Sequence, residues 1–318
     1  MPQYDISVII PTYNRLNVLK RTLSCINKQT ISRNKYQVIV VDDASTDGTG
    51  KYLKSLDNID YQINEINKGR SVTRDIGIRN AKSKIILFID DDIWADASLL
   101  ETHINKHKGL EIVVVGSIVP SPEIKRTAVN IYYNRHHEWC LKEMRINQAS
   151  LPYNFFKTAN VSVPKTIFDK VGTFDERFYH YGCEDTELGA RIKACGYEIV
   201  YAEKAIGYHY HNETVEGMIN KIDDNIKSAK LFKNINKDLV DKYNGFFTPE
   251  YHKNDGPRNI IYNAVKCVIF IKIARDINLF IIKLFNNCKT MDILLAKINL
   301  PILKIQYLHN KESITKCT

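Results

Sequence analysis

Short uninterrupted apolar runs alternate with segments of helical period along residues 6–215. Ser7-Val8-Ile9-Ile10 reads as a buried strand closed by Pro11-Thr12-Tyr13-Asn14, after which Leu16, Leu19, Leu23 and Ile26 recur at helical spacing. Residues 37–41 predict a second buried strand ending in Asp42-Asp43, with Ser45 or Thr46 placed to cap a helix over 51–56. A weaker strand is expected over 60–66, then a helix over 69–81 with Val72, Ile76 and Ala81 turned inward. Residues 85–89 are apolar on both faces and stop at Asp90-Asp91-Asp92; a helix over 96–107 and a strand over 111–118 follow. Strands apolar on both faces and separated by helices predict an α/β fold with a Rossmann-like, mostly parallel central sheet covered on both sides. Ligands of such sheets bind at the carboxyl ends of the strands, and here those ends carry Tyr13, Asp42, Asp43, Asp90, Asp91 and Asp92.

Residues 120–152 break this pattern at Pro120 and Pro122 and crowd Tyr132, Tyr133, His136, His137, Glu138 and Trp139 together. An irregular loop-helix region over the sheet is expected there. Adjacent histidines seldom share one metal, so acceptor contact or plain surface is the reading for His136-His137-Glu138.

Three clusters carry candidate chemistry. Three carboxylates in a row at 90–92 repel one another unless a cation or strong donors compensate, and hard cations such as Mg²⁺ and Mn²⁺ use such groups together with substrate phosphates; the alternative is a solvated acidic turn. Glu184-Asp185 opens a helix whose stripe is Leu188, Ile192 and Cys195 and which Gly196 ends. Acids in a first turn suit the helix dipole, and a carboxylate there can also serve as a general base. In Tyr208-His209-Tyr210-His211 a strand places both histidines on one side, as metal ligands or as ordinary strand residues.

Composition narrows the partners. The 318 residues carry 45 Lys+Arg against 36 Asp+Glu, net +9, with 44% hydrophobic residues, which excludes disordered and low-complexity classes. Residues 256–318 hold ten Lys/Arg and three acids, net +7, leaving +2 for residues 1–255. A nearly neutral main body argues against nucleic acid as a partner. The basic region is rich in Ile, Val, Phe and Leu, yet its longest uncharged stretch, 259–265, is far short of a membrane span. On a helical wheel Arg258, Lys266, Lys272, Arg275, Asp276 and Lys283 share one half, with Phe270, Ile271, Ala274, Ile281 and Phe285 in the other. This predicts either an interfacial helix on an anionic membrane surface or a helix packed on the protein's own core. Seven scattered cysteines without a CxxC pair suit a reducing compartment, and no basic segment precedes an apolar one at the N-terminus, so no signal peptide is expected. A cytoplasmic protein, peripheral on the inner face of the cell membrane, is the expected location.

Taken in order, residues 7–15, 40–49, 67–77 (Asn67-Lys68-Gly69 through Thr73-Arg74-Asp75-Ile76-Gly77), 88–92, 160–162, 172–178 and Glu184-Asp185 resemble family 2 glycosyltransferases of GT-A fold over roughly residues 5–215. Two positions depart from that family's pattern: Asp75, where Asn is frequent, and Thr173, where Gly is usual. The resemblance implies a catalytic domain over 1–215, with a nucleotide-sugar half to about 119 and an acceptor half from about 120. A helical linker over 216–255 and a basic helical region over 256–318 are expected to follow. It further implies that Pro11, Thr12 and Tyr13 lie against the nucleotide, with Tyr13 on the base. Asp43, or alternatively Asp42, would accept from a uracil-like N–H, and Arg74 would support base or diphosphate. Asp90 would reach the ribose beside Asp91, and Asp92 would bind a divalent Mn²⁺ or Mg²⁺, with His209, or failing it His211, as a further ligand. Asp185 would be the catalytic base, with Glu184 holding the acceptor. The implied reaction is inverting transfer from a nucleotide-sugar donor to a hydroxyl of a glycan or lipid-linked glycan. Transfer to a polyprenyl phosphate and a non-catalytic binding role are the alternatives.

Overall fold

The computed structural model describes residues 3–236 and 272–285. Within them lies an eight-stranded sheet. In chain order the elements are β1 (Tyr4–Thr12), α1 (Leu16–Ile26), β2 (Tyr36–Asp42), α2 (Thr49–Leu53), β3 (Asp60–Ile63), α3 (Arg70–Asn80), β4 (Ser83–Ile89), β5 (Ile93–Ala95) and α4 (Leu99–His107). Then come β6 (Val113–Pro120), α5 (Ala128–Ile146), β7 (Asn160–Pro164), α6 (Lys165–Val171), α7 (Glu184–Ala194), β8 (Ile199–His209), α8 (Val215–Ile235) and α9 (Lys272–Phe285). The sheet order is β3-β2-β1-β4-β7-β6-β8-β5. Neighbours within β3-β2-β1-β4 pair in parallel, as do β6 and β8, whereas β7 pairs antiparallel with both β4 and β6, and β5 with β8.

Period two along β1 and β4 builds two cores at once. Ile9, Ile86 and Phe88 enter one core with α6 and α7, and Val8, Ile10, Leu87 and Ile89 enter the other with α1 and α4. Phe88 meets Phe168 and Phe174 edge-on, at 6.2 and 5.5 Å between ring centroids. The chain divides into two compact units, whose described residues are 3–123 with 137–211 in one and 124–136, 212–236 and 272–285 in the other. The second unit has its own core, where Ala128, Val129, Val215, Met218, Ile222, Ile226 and Ile282 meet.

Several expectations need correction. Helix α2 starts at Thr49, and its first turn is held by Asp47, whose Oδ1 accepts from Thr49 N and Oγ1 at 3.1 and 2.6 Å; Ser45 instead accepts from Asn14 N. Helix α3 buries Ser71, Thr73, Arg74, Asp75, Gly77 and Ile78; of the three residues expected inward, Ala81 just past its end is buried, Ile76 packs half-buried on the same core, and Val72 is half-buried. Gly77 permits the close approach: a Cβ there would lie 2.4 Å from Ile9 Cγ2, so the helix rests directly on β1 with Thr73, Arg74 and Asp75 buried beside Ile78. The expected loop-helix region over 120–152 contains one 19-residue helix, α5. The expected strand over 60–66 ends at Ile63, and β5 was not anticipated. Of the basic region, 256–271 and 286–318 lie outside the described residues, as does 237–255 of the expected linker.

A buried polar network ties β7 to α4. Asn160 Nδ2 donates to the carbonyls of Ser117 and Ala205, so its Oδ1 must face a donor, His103 Nε2 at 2.9 Å. His103 Nδ1 then accepts from Ser162 Oγ, which accepts in turn from His107 Nε2, both at 2.8 Å. Burial pushes both rings down to about 4 from 6.5, so both are neutral. Their contribution to stability is complete above pH 6.5 and is lost as pH falls toward 4, roughly 3 kcal/mol per ring at most. Burial pushes Asp91 up to about 6, which acts in the same window with opposite sign and offsets about one ring. Urea unfolding is therefore expected to show lower stability at pH 4.5 than at pH 7, and His107→Gln should shrink the difference. A stability that rises toward pH 4.5 would contradict this account.

Candidate active site

The acid triplet follows β4 without a turn, and sheet register decides what it meets. Antiparallel pairing sets Ile93 opposite His209, and Tyr210 N donates to the Asp92 carbonyl at 2.8 Å. His209 and His211 flank that bond on one side of the strand and both face Asp92. His209 Nε2 lies 3.4 Å from Asp92 Oδ1, and His211 Nδ1 lies 3.3 Å from Oδ2. One ligand atom from each of the three residues falls within 4.8 Å of the others. Asp92 Oδ1 is buried without a hydrogen-bond partner. One carboxylate, two imidazoles and an unsatisfied buried oxygen fit a divalent first-row cation. His209 Nδ1 sits 3.4 Å from His137 Nε2 of α5, the contact an imidazole ligand uses to fix its ring.

Arg15, at the N-terminus of α1, bridges two acids through Nη1, at 2.7 Å from Asp91 Oδ1 and 2.9 Å from Asp92 Oδ2. Asp91 also accepts from Thr12 Oγ1 at 2.7 Å, and its carbonyl accepts from Thr22 Oγ1 at 2.6 Å. Burial opposes ionisation of Asp92, yet His209, His211 and Arg15 hold its carboxyl well below the usual range. Arg15 ends the 7–15 motif, but nothing in the sequence shows that its side chain turns back to the triplet.

At the end of β2, Asp42 Oδ1 accepts from Ser45 N at 3.0 Å, and its Oδ2 is buried without a partner. Asp43 braces the turn before α3, accepting from Asn64 Nδ2, Lys68 N and Gly69 N at 2.8–2.9 Å. Tyr13, just past β1, is 47% exposed and offers its ring, while Pro11 lies within β1 opposite Val41.

Arg74 joins this group to the second acid cluster. Its Nη2 donates to Asp90 Oδ1 and its Nη1 to Glu184 Oε1, each at 3.1 Å. Arg70, stacked over the Tyr181 ring at 4.7 Å, approaches the same Glu184 oxygen to 3.7 Å. Burial works against the Glu184 charge, but Arg70 and Arg74 lower its carboxyl below the usual range. Asp185 Oδ1 accepts from Thr186 N at 2.7 Å, and Oδ2 faces Lys157 Nζ at 3.5 Å. Gly182 and Cys183 both adopt positive φ, +93° and +71°, turning the chain sharply into α7 and presenting both acids in its first turn. The departures at 75 and 173 form one unit: Asp75 accepts from Thr173 Oγ1 at 2.9 Å and from Phe174 N at 3.1 Å.

The sequence profile of glycosyl transferase family 2 matches residues 7–174, over half the chain, and one described as the N-terminal domain of galactosyltransferase matches 141–215. Validoxylamine A glucosyltransferase of Streptomyces hygroscopicus subsp. jinggangensis is 28% identical over 245 residues, covering 68% of this chain and 58% of that protein. Chondroitin synthase of Escherichia coli is 30% identical over 238 residues, covering 64% of this chain and 34% of that protein. The chain thus spans little more than half the first of these and a third of the second. A mannosyltransferase from Pyrobaculum calidifontis, solved with GDP-Man and Mn²⁺, superposes with a TM-score of 0.61 at 16% identity, covering 96% of this chain and 87% of that one. That likeness establishes the GT-A fold. With the profile spanning β1 to the Thr173-Phe174 turn that Asp75 holds, the chain belongs to glycosyl transferase family 2.

Proposed function

We propose that this enzyme transfers a sugar, with inversion, from a UDP-sugar to a hydroxyl of a glycan or lipid-linked glycan, assisted by Mn²⁺ or Mg²⁺. The observation that carries this reading is Arg74, whose guanidinium spans from Asp90 of the donor cluster to Glu184 of the acceptor cluster. Tyr13 stacks on the base; Asp42 and Asp43 shape its pocket, with Pro11 and Thr12 alongside. Asp90 takes the ribose beside Asp91. Asp92, His209 and His211 hold the cation, which when bound supplies Lewis-acid stabilisation of the departing diphosphate. Asp185 Oδ2 takes the acceptor proton as the acceptor oxygen attacks the sugar C1, the C1–O bond to the diphosphate breaking opposite, while Glu184 orients the acceptor. The catalytic domain is taken as residues 1–215.

A nucleotide-sugar screen with Mn²⁺ tests the core of this. One donor is expected to release its nucleoside diphosphate slowly to water and rapidly to acceptor, with the anomeric configuration inverted in the product by NMR. A retained configuration would rule out single displacement, and release from no donor would remove the reading.

Residues 256–318 are proposed to dock on an anionic membrane surface. No described helix is long and apolar enough to cross a membrane. On α9, Ile281 of the expected apolar half packs with Leu279 and Ile282 on the second unit's core, as the core-packing alternative expects, while a different face exposes Ile277, Phe280 and Leu284 at helical spacing; that exposed stripe is the one offered to the lipid boundary. Full-length protein should bind phosphatidylglycerol vesicles at low salt, and Phe280→Asp should weaken that binding about tenfold. Equal binding to neutral vesicles, or none to either, would contradict this role.

A further inference from the structure

The acid triplet does not exhaust Arg15. Only Nη1 engages Asp91 and Asp92; Nη2 and Nε have no hydrogen-bond partner among the described residues, and the side chain is 36% exposed. Arg74, the other guanidinium at these carboxylates, is buried and has both Nη atoms committed. Arg15 is also held in place from behind. Asn14, with φ +52°, receives Thr46 N on its Oδ1 and donates its own N–H to Ser45 Oγ, which fixes the turn from β1 into α1. Two carboxylates then pin one edge of a planar fork whose other edge is open at the strand ends.

A planar, permanently charged fork suits phosphate, because it offers parallel N–H donors in a fixed geometry. A diphosphate approaching Asp90, Asp91 and Asp92 meets three carboxylates and needs cations on its own side. We propose that Arg15 is a donor-binding residue, gripping the terminal phosphate of the leaving diphosphate with the free edge of its guanidinium. This rests on the nucleotide-sugar reading above. Arg15 touches Asp91 and Asp92 through one nitrogen and the phosphate through the others, so it is placed to act in both the loaded enzyme and the product complex.

Calorimetry on the full-length protein in saturating Mn²⁺ tests this with UDP and UMP as probes, and GDP and GMP in parallel. Arg15→Met is expected to weaken the diphosphate about 10–100-fold, the range for charged hydrogen bonds, and the monophosphate less than about twofold. Arg15→Lys keeps the cation between Asp91 and Asp92 but loses the fork; it should show a smaller loss, again confined to the diphosphate. If Arg15→Met fails to fold, the Lys variant alone decides. Lys28→Met, removing an exposed charge elsewhere, should change neither probe. Equal weakening of di- and monophosphate would assign Arg15 to organising the acid cluster and overturn the proposal, as would unchanged affinity for both. Wild-type protein that binds no nucleoside diphosphate would instead overturn the donor reading itself.

Discussion

Exhaustive chelation is expected to abolish sugar transfer, and added Mn²⁺ or Mg²⁺ to restore it. The expectation comes from Asp92. Its carboxylate is buried, is kept ionised by two imidazoles and a guanidinium, and still leaves Oδ1 without a hydrogen bond. A charge so placed is costly unless something binds it. Lewis-acid stabilisation of a leaving group contributes several kcal/mol, so its loss should cost on the order of 10²–10⁴ in rate. Asp92→Ala should match the chelated enzyme and should also fail to bind Mn²⁺ by calorimetry, a readout independent of turnover. Full activity after exhaustive chelation would take the cation out of the mechanism.

Asp185→Asn is expected to fold, to bind nucleotide like wild type, and to lose transfer by about 10²–10⁴-fold, the usual range for a general base. The substitution keeps the shape and the oxygen that accepts from Thr186 N, so the first turn of α7 should stand. Only the site that would receive the acceptor proton disappears. Steady-state kinetics should place the loss in kcat, with the donor KM little changed. Near wild-type turnover would move the base elsewhere. Glu184 is then next, although Arg70 and Arg74 already occupy its Oε1.

Much of the candidate site up to residue 92 was legible because its acids lie at the ends of uninterrupted apolar strands, where chain order and strand direction alone bring Tyr13, Asp43 and Asp92 to the carboxyl end of the sheet. The histidines were legible as a pair but not as partners of Asp92: that depends on β5, three residues that pair with β8 and carry no periodic signal. Helix α3 misled for a different reason. Its buried face mixes Arg74 and Asp75 with Gly77 and Ile78, so a search for an apolar stripe finds Ile76 and Ala81 but not the polar residues buried beside them. In α5 the spacing of His137, Leu141 and Met144 fits a helix, but surrounding aromatic and histidine residues obscure it. The Asp75 and Thr173 departures looked independent in the sequence; 98 positions apart, they share one hydrogen bond.

Strand β5 is short and lies at the sheet's edge, yet it joins Asp92 to the strand that ends at His209, two residues before His211. An edge of three residues opens more readily than a central strand, so exchange of the Tyr210 amide should report how often that seam parts. Any ligand bridging Asp92 and the histidines must close the seam, and linkage makes the exchange reciprocal: free energy gained in closing the edge is free energy lent to the ligand. The margin of the sheet is then a thermodynamic hinge, tightened by the occupant it helps to hold.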